Sequence, residues 1–183
     1  MAVLHKGSNV FFHASDISDT LKNQIIEGRN KSFPNHSSNN YFYKQVPYGV
    51  IVIFDGDKLV SQCSIIYRYI NIDESFLPIL GVSDAWVDEK YRKKGFLKSM
   101  LDEVQTMSWD MGIECNVLVA DVPSIYSKYG FVEYNPVAQW LRVHEGKNYG
   151  VSVEKIKGIM IRSLGTSKPP QKMTSIDFLG ELF

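Results

Sequence analysis

Lys90, Arg92, Lys93, Lys94 and Lys98 crowd one short stretch of a 183-residue chain, and Gly95 breaks the run just before Phe96. Cations at that density, around a glycine that frees the backbone, hold an anion, and a diphosphate is the natural tenant. Charge runs in turns are usually only solvated, so the setting decides. Asp84 lies upstream in an otherwise apolar run. A carboxylate there is costly to bury unpaired, which argues for a partner or a task. Asp121 ends the next apolar run and is a second candidate base. Tyr126 and Tyr129 follow it, and a phenol of pKa about 10 can give its proton to a leaving group as it is expelled.

Three joined elements must position these groups. In Ile79–Val87 the residues Leu80, Val82, Trp86 and Val87 are apolar, in a run too short for a helix. A short basic turn follows. After Gly95, Leu97, Leu101 and Val104 recur at helical spacing, and the pattern runs to about Met111 with Gly112 as C-cap. A strand feeding a helix through such a turn points free N–H groups outward, where the dipole adds roughly 0.3–1 kcal/mol per favourable charge. No Gly-x-x-x-x-Gly-Lys-Ser/Thr occurs, so this is not a Walker loop, and no Gly-x-Gly-x-x-Gly occurs either.

Arg92-x-x-Gly95-x-Leu97 after Val87 resembles the acyl-CoA-binding motif of the GNAT superfamily of N-acyltransferases, Arg/Gln-x-x-Gly-x-Gly/Ala. Leu97 departs from it, placing a larger side chain where the family has a small one. Tyr126-Ser-Lys-Tyr-Gly130-Phe131 resembles the family's Tyr-x-x-x-Gly-Phe, in the right order downstream. Together the motifs are more specific than either alone, and the likeness covers roughly Val50 to Tyr134. The ending Ile176-Asp-Phe-Leu-Gly-Glu-Leu-Phe183 loosely resembles the tail of aminoglycoside 2′-N-acetyltransferases.

The resemblance implies a single α+β domain over 1–183, with a central mixed, mostly antiparallel sheet splayed at the CoA-binding strand and flanked by helices. It implies transfer of an acetyl group from acetyl-CoA to a primary amine of a small molecule by direct attack, without a metal. Backbone amides of Arg92, Lys93, Lys94, Gly95, Phe96 and Leu97 would hold the pyrophosphate. The strand edge at Ala85, Trp86 and Val87 would pair with the pantetheine arm, and an N–H near Val87 would meet the thioester carbonyl. Tyr126 would protonate the departing thiolate, its motif position favouring it over Tyr129, and Asp84 leads Asp121 as base. The acceptor leans toward a polyamine or aminoglycoside, and late strands of this fold often pair copies into a homodimer. The alternative is a non-catalytic CoA-binding or interaction module, supported by Leu97 and the open identity of the base.

Composition narrows the field. With 20 basic and 20 acidic residues the chain has no net charge, against any general affinity for nucleic acid or an anionic membrane. Cys63 and Cys115 sit in apolar runs without metal-ligand spacing and read as buried thiols. No apolar segment reaches membrane-spanning length. Asn30-Lys-Ser32 and Asn35-His-Ser37 match the glycosylation pattern but, read without a signal peptide, carry no weight, and the expected compartment is the cytoplasm.

The remaining elements read in order. Val10–His13 is a first strand, and Asp16 or Ser18 caps a helix over Ser18–Gly28 with Leu21, Ile25 and Ile26 inward. Lys31–Tyr43 is a polar loop with interleaved aromatics, which the resemblance makes a substrate-facing wall. Tyr48–Phe54 and Leu59–Ile70 are strands joined by a hairpin turn at Asp55-Gly-Asp-Lys58. Asn71–Ser75 is a turn. Cys115–Ala120 is a buried strand, and Asp121–Ser124 opens a short helix carrying Tyr126 and ending at Gly130. Phe131–Tyr134, Trp140–Val143 and Gly158–Leu164 are late strands, Gly165–Pro170 is a loop, and Thr174–Phe183 closes the chain.

Overall fold

The computed structural model describes residues 8–144, 146–164 and 172–182. The chain is α+β and forms two compact units, one taking in residues up to Ile65 with Ser83–Glu103, the other Ile66–Val82 with Val104 onward.

In the first unit, β1 (Asn9–His13) pairs antiparallel with β2 (Gly49–Asp55), and β2 with β3 (Lys58–Ile72) from Gly49↔Ile65 to Asp55↔Lys58. The hairpin turn between Asp55 and Lys58 stands where the sequence puts it. Helix α1 (Asp19–Ser32) starts at Ser18, whose hydroxyl accepts from the Leu21 N–H at 3.3 Å. Leu21, Ile25 and Arg29 form its buried row, one helical phase repeated, and Ile26 is only half-buried. The helix continues past Gly28, where the sequence reading ends it. Gly28 serves packing rather than termination, since a Cβ there would fall 2.2 Å from the Trp86 ring. Val50, Val52, Leu59 and Trp86 complete this core with Ile17, Leu21 and Ile25.

The second unit holds the rest of β3 and of β4 (Ser75–Val87), the end of α2 (Phe96–Asp110), and β5 (Cys115–Val119). It continues through α3 (Ser124–Ser127), β6 (Val132–Tyr134), β7 (Val137–His144), β8 (Lys147–Lys155), β9 (Ile159–Ser163) and β10 (Ser175–Glu181). Its strand order is β6-β9-β5-β4-β3-β10-β7-β8. The pairs β4·β5 and β7·β10 are parallel; β5·β9, β6·β9, β7·β8 and β3·β10 are antiparallel. The sheet is therefore mixed and mostly antiparallel, as expected. Ile70, Ile79, Val117, Ile159, Ile161 and Phe178 fill the core.

Two further differences from the sequence reading have physical causes. The β3–β4 turn shrinks to Asp73 and Glu74, both in left-handed backbone, because Asp73 accepts from the amides of Thr174 and Ser175 and from the Thr174 hydroxyl. Those bonds hold its pKa below the usual carboxylate value. β8, absent from the reading, is exposed at every position but Ser152, so its ladder with β7 rather than burial defines it. The loop Gly165–Pro170 and Phe183 lie outside the described residues.

Cys63 and Cys115 are buried free thiols, and burial pushes both up to about 12. They are inert at neutral pH. No helix among the described residues is long and apolar enough to cross a membrane.

Candidate active site

Strand β4 leads to the basic turn. Its parallel register with β5 runs from Ile79↔Cys115 to Val82↔Leu118, and Asp84 then takes φ +48. A non-glycine residue in left-handed backbone inside a strand marks an irregularity that re-aims side chains, and such strain gathers at functional positions. Trp86 is buried, and its carbonyl accepts from the Ser61 hydroxyl at 2.9 Å. Beyond Val87, the Asp88 side chain accepts from the Lys90 N–H at 3.0 Å and caps a 3-10 turn, Glu89–Tyr91. Asp88 also pairs with Lys58 at 3.0 Å, and Tyr91 donates to Asp55 at 2.6 Å. The turn is therefore tied down at both ends.

From there the chain enters α2 through Lys93 (φ +62) and Gly95 (φ +86). The first intrahelical bond closes from Ser99 N to Gly95 O at 2.9 Å. The amides of Phe96, Leu97 and Lys98 precede it, so their acceptors must come from outside the helix. A Cβ at Gly95 would meet nothing within 4 Å, so the space beside these amides is open. Arg92, Lys93, Lys94 and Lys98 are exposed around it, while Leu97 is half-buried. Arg92 folds back, its Nε donating to Val87 O at 3.3 Å. Three amides without intrahelical acceptors, the positive pole of α2 and the surrounding exposed cations, of which Lys98 pairs with Asp102 at 2.6 Å, fit a diphosphate. An open cleft of about 100 Å³ borders the same turn, lined by Gly28, Lys31, Trp86, Val87, Asp88 and Arg92 among others.

Asp84 faces Arg29 of α1, which is 1 % exposed. Arg29 Nη2 donates to Asn30 Oδ1 and to the Ser38 carbonyl, each at 3.0 Å, while Nε and Nη1 have no hydrogen-bond partner. The two charges attract across space rather than through a direct bond. Burial pushes the Asp84 carboxyl above its usual value, against the pull of Arg29, Lys44 and His36. Burial likewise lowers the Arg29 guanidinium, with Asp84 and Tyr43 opposing.

Tyr126 belongs to the second unit. It sits half-buried on α3, its ring edge-on to Phe131 at 6.1 Å, and Phe131 in turn carries the Arg162 guanidinium at 4.9 Å. Asp121 is exposed.

The model for the acetyltransferase (GNAT) domain matches residues 14–133. The chain belongs to the GNAT acetyltransferase family. Domains of this family use acetyl-CoA, which supports an acyltransferase. Among solved structures, Escherichia coli ElaA aligns with a TM-score of 0.57 at 17% identity, over 85% of this chain and 98% of that one. An acetyltransferase of the GNAT family from Staphylococcus aureus Mu50 aligns with a TM-score of 0.54 at 14% identity, over 86% and 100%. A probable N-acyltransferase from Enterococcus faecalis V583 aligns with a TM-score of 0.57 at 12% identity over 71% of this chain, which spans only 35% of that larger protein. At these identities the likeness is one of fold. A comparison with curated proteins finds no match.

For this GNAT chain the structure brings Asp84 and the segment Ala85, Trp86, Val87, Arg92, Lys93, Lys94, Gly95, Phe96 and Leu97 into one unit. The sequence reading missed Arg29. Its signal was present, an arginine four residues after Ile25 on the apolar face of α1. Asp84→Asn should lower turnover and also raise the thermal midpoint at pH 7, because a carboxyl whose folded pKa is raised costs stability once ionised. The gain should vanish below the ordinary value of 3.8. Thermal melts across pH, beside initial rates, check both halves.

Proposed function

We propose that the protein transfers an acetyl group from acetyl-CoA to the primary amine of a small-molecule acceptor by direct attack. The observation that supports this most is the open first turn of α2, with three amides that lack intrahelical acceptors behind Lys93 and Gly95. Acetyl-CoA, when bound, supplies a thioester whose carbonyl carbon is open to an amine. Amides of Phe96, Leu97 and Lys98 would hold its diphosphate, with the lysines of the turn adding charge. The backbone of Ala85, Trp86 and Val87 would align the pantetheine arm as an added strand.

Asp84 would take the proton of the acceptor ammonium, since amines of ordinary pKa are charged near pH 7. A carboxyl raised by burial is a better base than an exposed one, yet the nearby cations favour its ionised form. Tyr126 would donate a proton to the thiolate as the carbon–sulfur bond breaks; its place in the Tyr-x-x-x-Gly-Phe motif supports that role. Atoms balance: amine and thioester become amide and free thiol. A cytoplasmic location belongs to the same reading.

Two measurements test this. CoA should raise the unfolding midpoint, by the equivalent of about 2.7 kcal/mol at one hundred times its dissociation constant. Acetyl-CoA with a broad amine panel should release thiol. No shift at millimolar CoA would refute the donor site. A shift without thiol release across the panel would favour a binding module.

A further inference from the structure

No residue in the stretch 121–130 is buried, although this stretch carries Tyr126. The backbone bonds donated by Ile125, Tyr126, Ser127, Tyr129 and Gly130 all close within residues 122–130. No side chain caps the start of α3. Such a turn keeps its own shape, but its seat on the sheet must come from its ends. One end is Ala120, whose N–H donates to the Gly158 carbonyl at 2.8 Å. The other is Phe131, the first buried residue after Ala120 and 2 % exposed.

Arg162 lies under that second end. Its guanidinium stands 4.9 Å from the centre of the Phe131 ring, and that ring meets Tyr126 edge-on at 6.1 Å. Its stem runs beneath Gly130, where an added Cβ would lie 3.6 Å from Arg162 Cδ. Arg162 is itself 6 % exposed and firmly held. It stands opposite Asn116 in the β5·β9 ladder, and its Nε and Nη2 donate to Asn116 Oδ1 at 3.3 and 2.8 Å. Asn116 Nδ2 donates to the Ser108 hydroxyl at 2.7 Å, and that hydroxyl donates to the Val104 carbonyl of α2 at 2.8 Å. A buried cation is a costly way to fill space, and an apolar side chain often does that as well. What a guanidinium adds is a flat, directional face on which an aromatic ring rests at a set angle.

We propose that Arg162 is a positioning residue, which through the Phe131 ring sets where the Tyr126 phenol stands. The inference rests on the reading of Tyr126 as proton donor to the departing thiolate. Its own content is that the guanidinium bears on the reaction through Tyr126 alone.

Arg162→Met should lower kcat roughly tenfold or more, since a small misplacement of a reacting group is expensive. KM for acetyl-CoA should stay within about twofold of the parent value, because no donor contact is touched. Arg162→Lys keeps the charge but loses the flat face, and should recover part of the rate. Phe131→Leu leaves Arg162 and Asn116 paired and should reproduce the loss, so it serves where Arg162→Met fails to fold. The deciding measurement repeats these changes in the Tyr126→Phe background, where each should cost less than about twofold more. A residue that only held the fold would lower the rate in both backgrounds alike. That result would overturn the inference and leave Tyr126 in the chemistry, as would a parent-like kcat in both Arg162→Met and Phe131→Leu. An unaltered rate in Tyr126→Phe alone, or no transfer by the parent protein, would overturn the inference together with the reading beneath it.

Discussion

Tyr126→Phe should lower kcat by roughly 10²–10⁴-fold, the range that a positioned proton donor contributes. The midpoint shift produced by CoA should stay as it is in the parent protein. The substitution removes one oxygen and keeps the ring, so the edge-on contact with Phe131 at 6.1 Å is retained. Arg162 is anchored independently: its Nη2 donates to Asn116 Oδ1 at 2.8 Å, and Asn116 donates to Ser108 at 2.7 Å. Phe131 therefore keeps its seat whether or not the hydroxyl is there. A parent-like melting midpoint would assign a loss of rate to the missing proton rather than to a disturbed turn. Initial rates with saturating acetyl-CoA, beside melts with and without CoA, make the comparison. An unaltered kcat would remove Tyr126 from the chemistry and return Tyr129 to consideration.

The strands β2, β3, β4, β5 and β9 were legible because each is an apolar run bounded by turn residues, and burial writes such a pattern directly. The same rule hides β8, whose residues Tyr149, Val151 and Val153 alternate without being buried. The end of α1 was misread for a related reason. Gly28 looks like a stop in one dimension, and only the indole of Trp86 pressed against it shows that a side chain was excluded by space. At the site, the basic turn and its glycine could be read from residue types alone, because charge and backbone freedom are local properties. The orientation of Asp84 could not. It depends on left-handed backbone at a residue that carries no mark of it, and parity along a strand fails at such a point. Arg29 was hidden for the opposite reason, since a charged residue is assumed to be solvated until something buries it. The tail resemblance has a plainer account: Ile176 and Phe178 are core residues of the second unit, which explains their type without an acceptor.

Gly158→Ala should destabilise the fold by about 3 kcal/mol, a sum of two costs. Gly158 has φ +77, where an L-residue pays roughly 1–2 kcal/mol. A Cβ there would also lie 2.2 Å from the Ala120 carbonyl oxygen, and overpacking costs about 1–3 kcal/mol. Relief by side-chain rotation is closed off because the obstacle is backbone. Movement of the two chains apart would break the bond from Ala120 N to Gly158 O, now 2.8 Å. For a chain of this size the midpoint should fall by about 6–12 °C. The contact matters beyond stability, since Ala120 ends the run from β5 into the segment that carries Tyr126. A shift of that segment should cost turnover in the folded fraction while the shift given by CoA persists. Melts and rates measured well below the lowered midpoint separate the two effects. A variant melting within 2 °C of the parent would mean that the β5 end yields freely, and Ala120 would then have no part in fixing where Tyr126 stands.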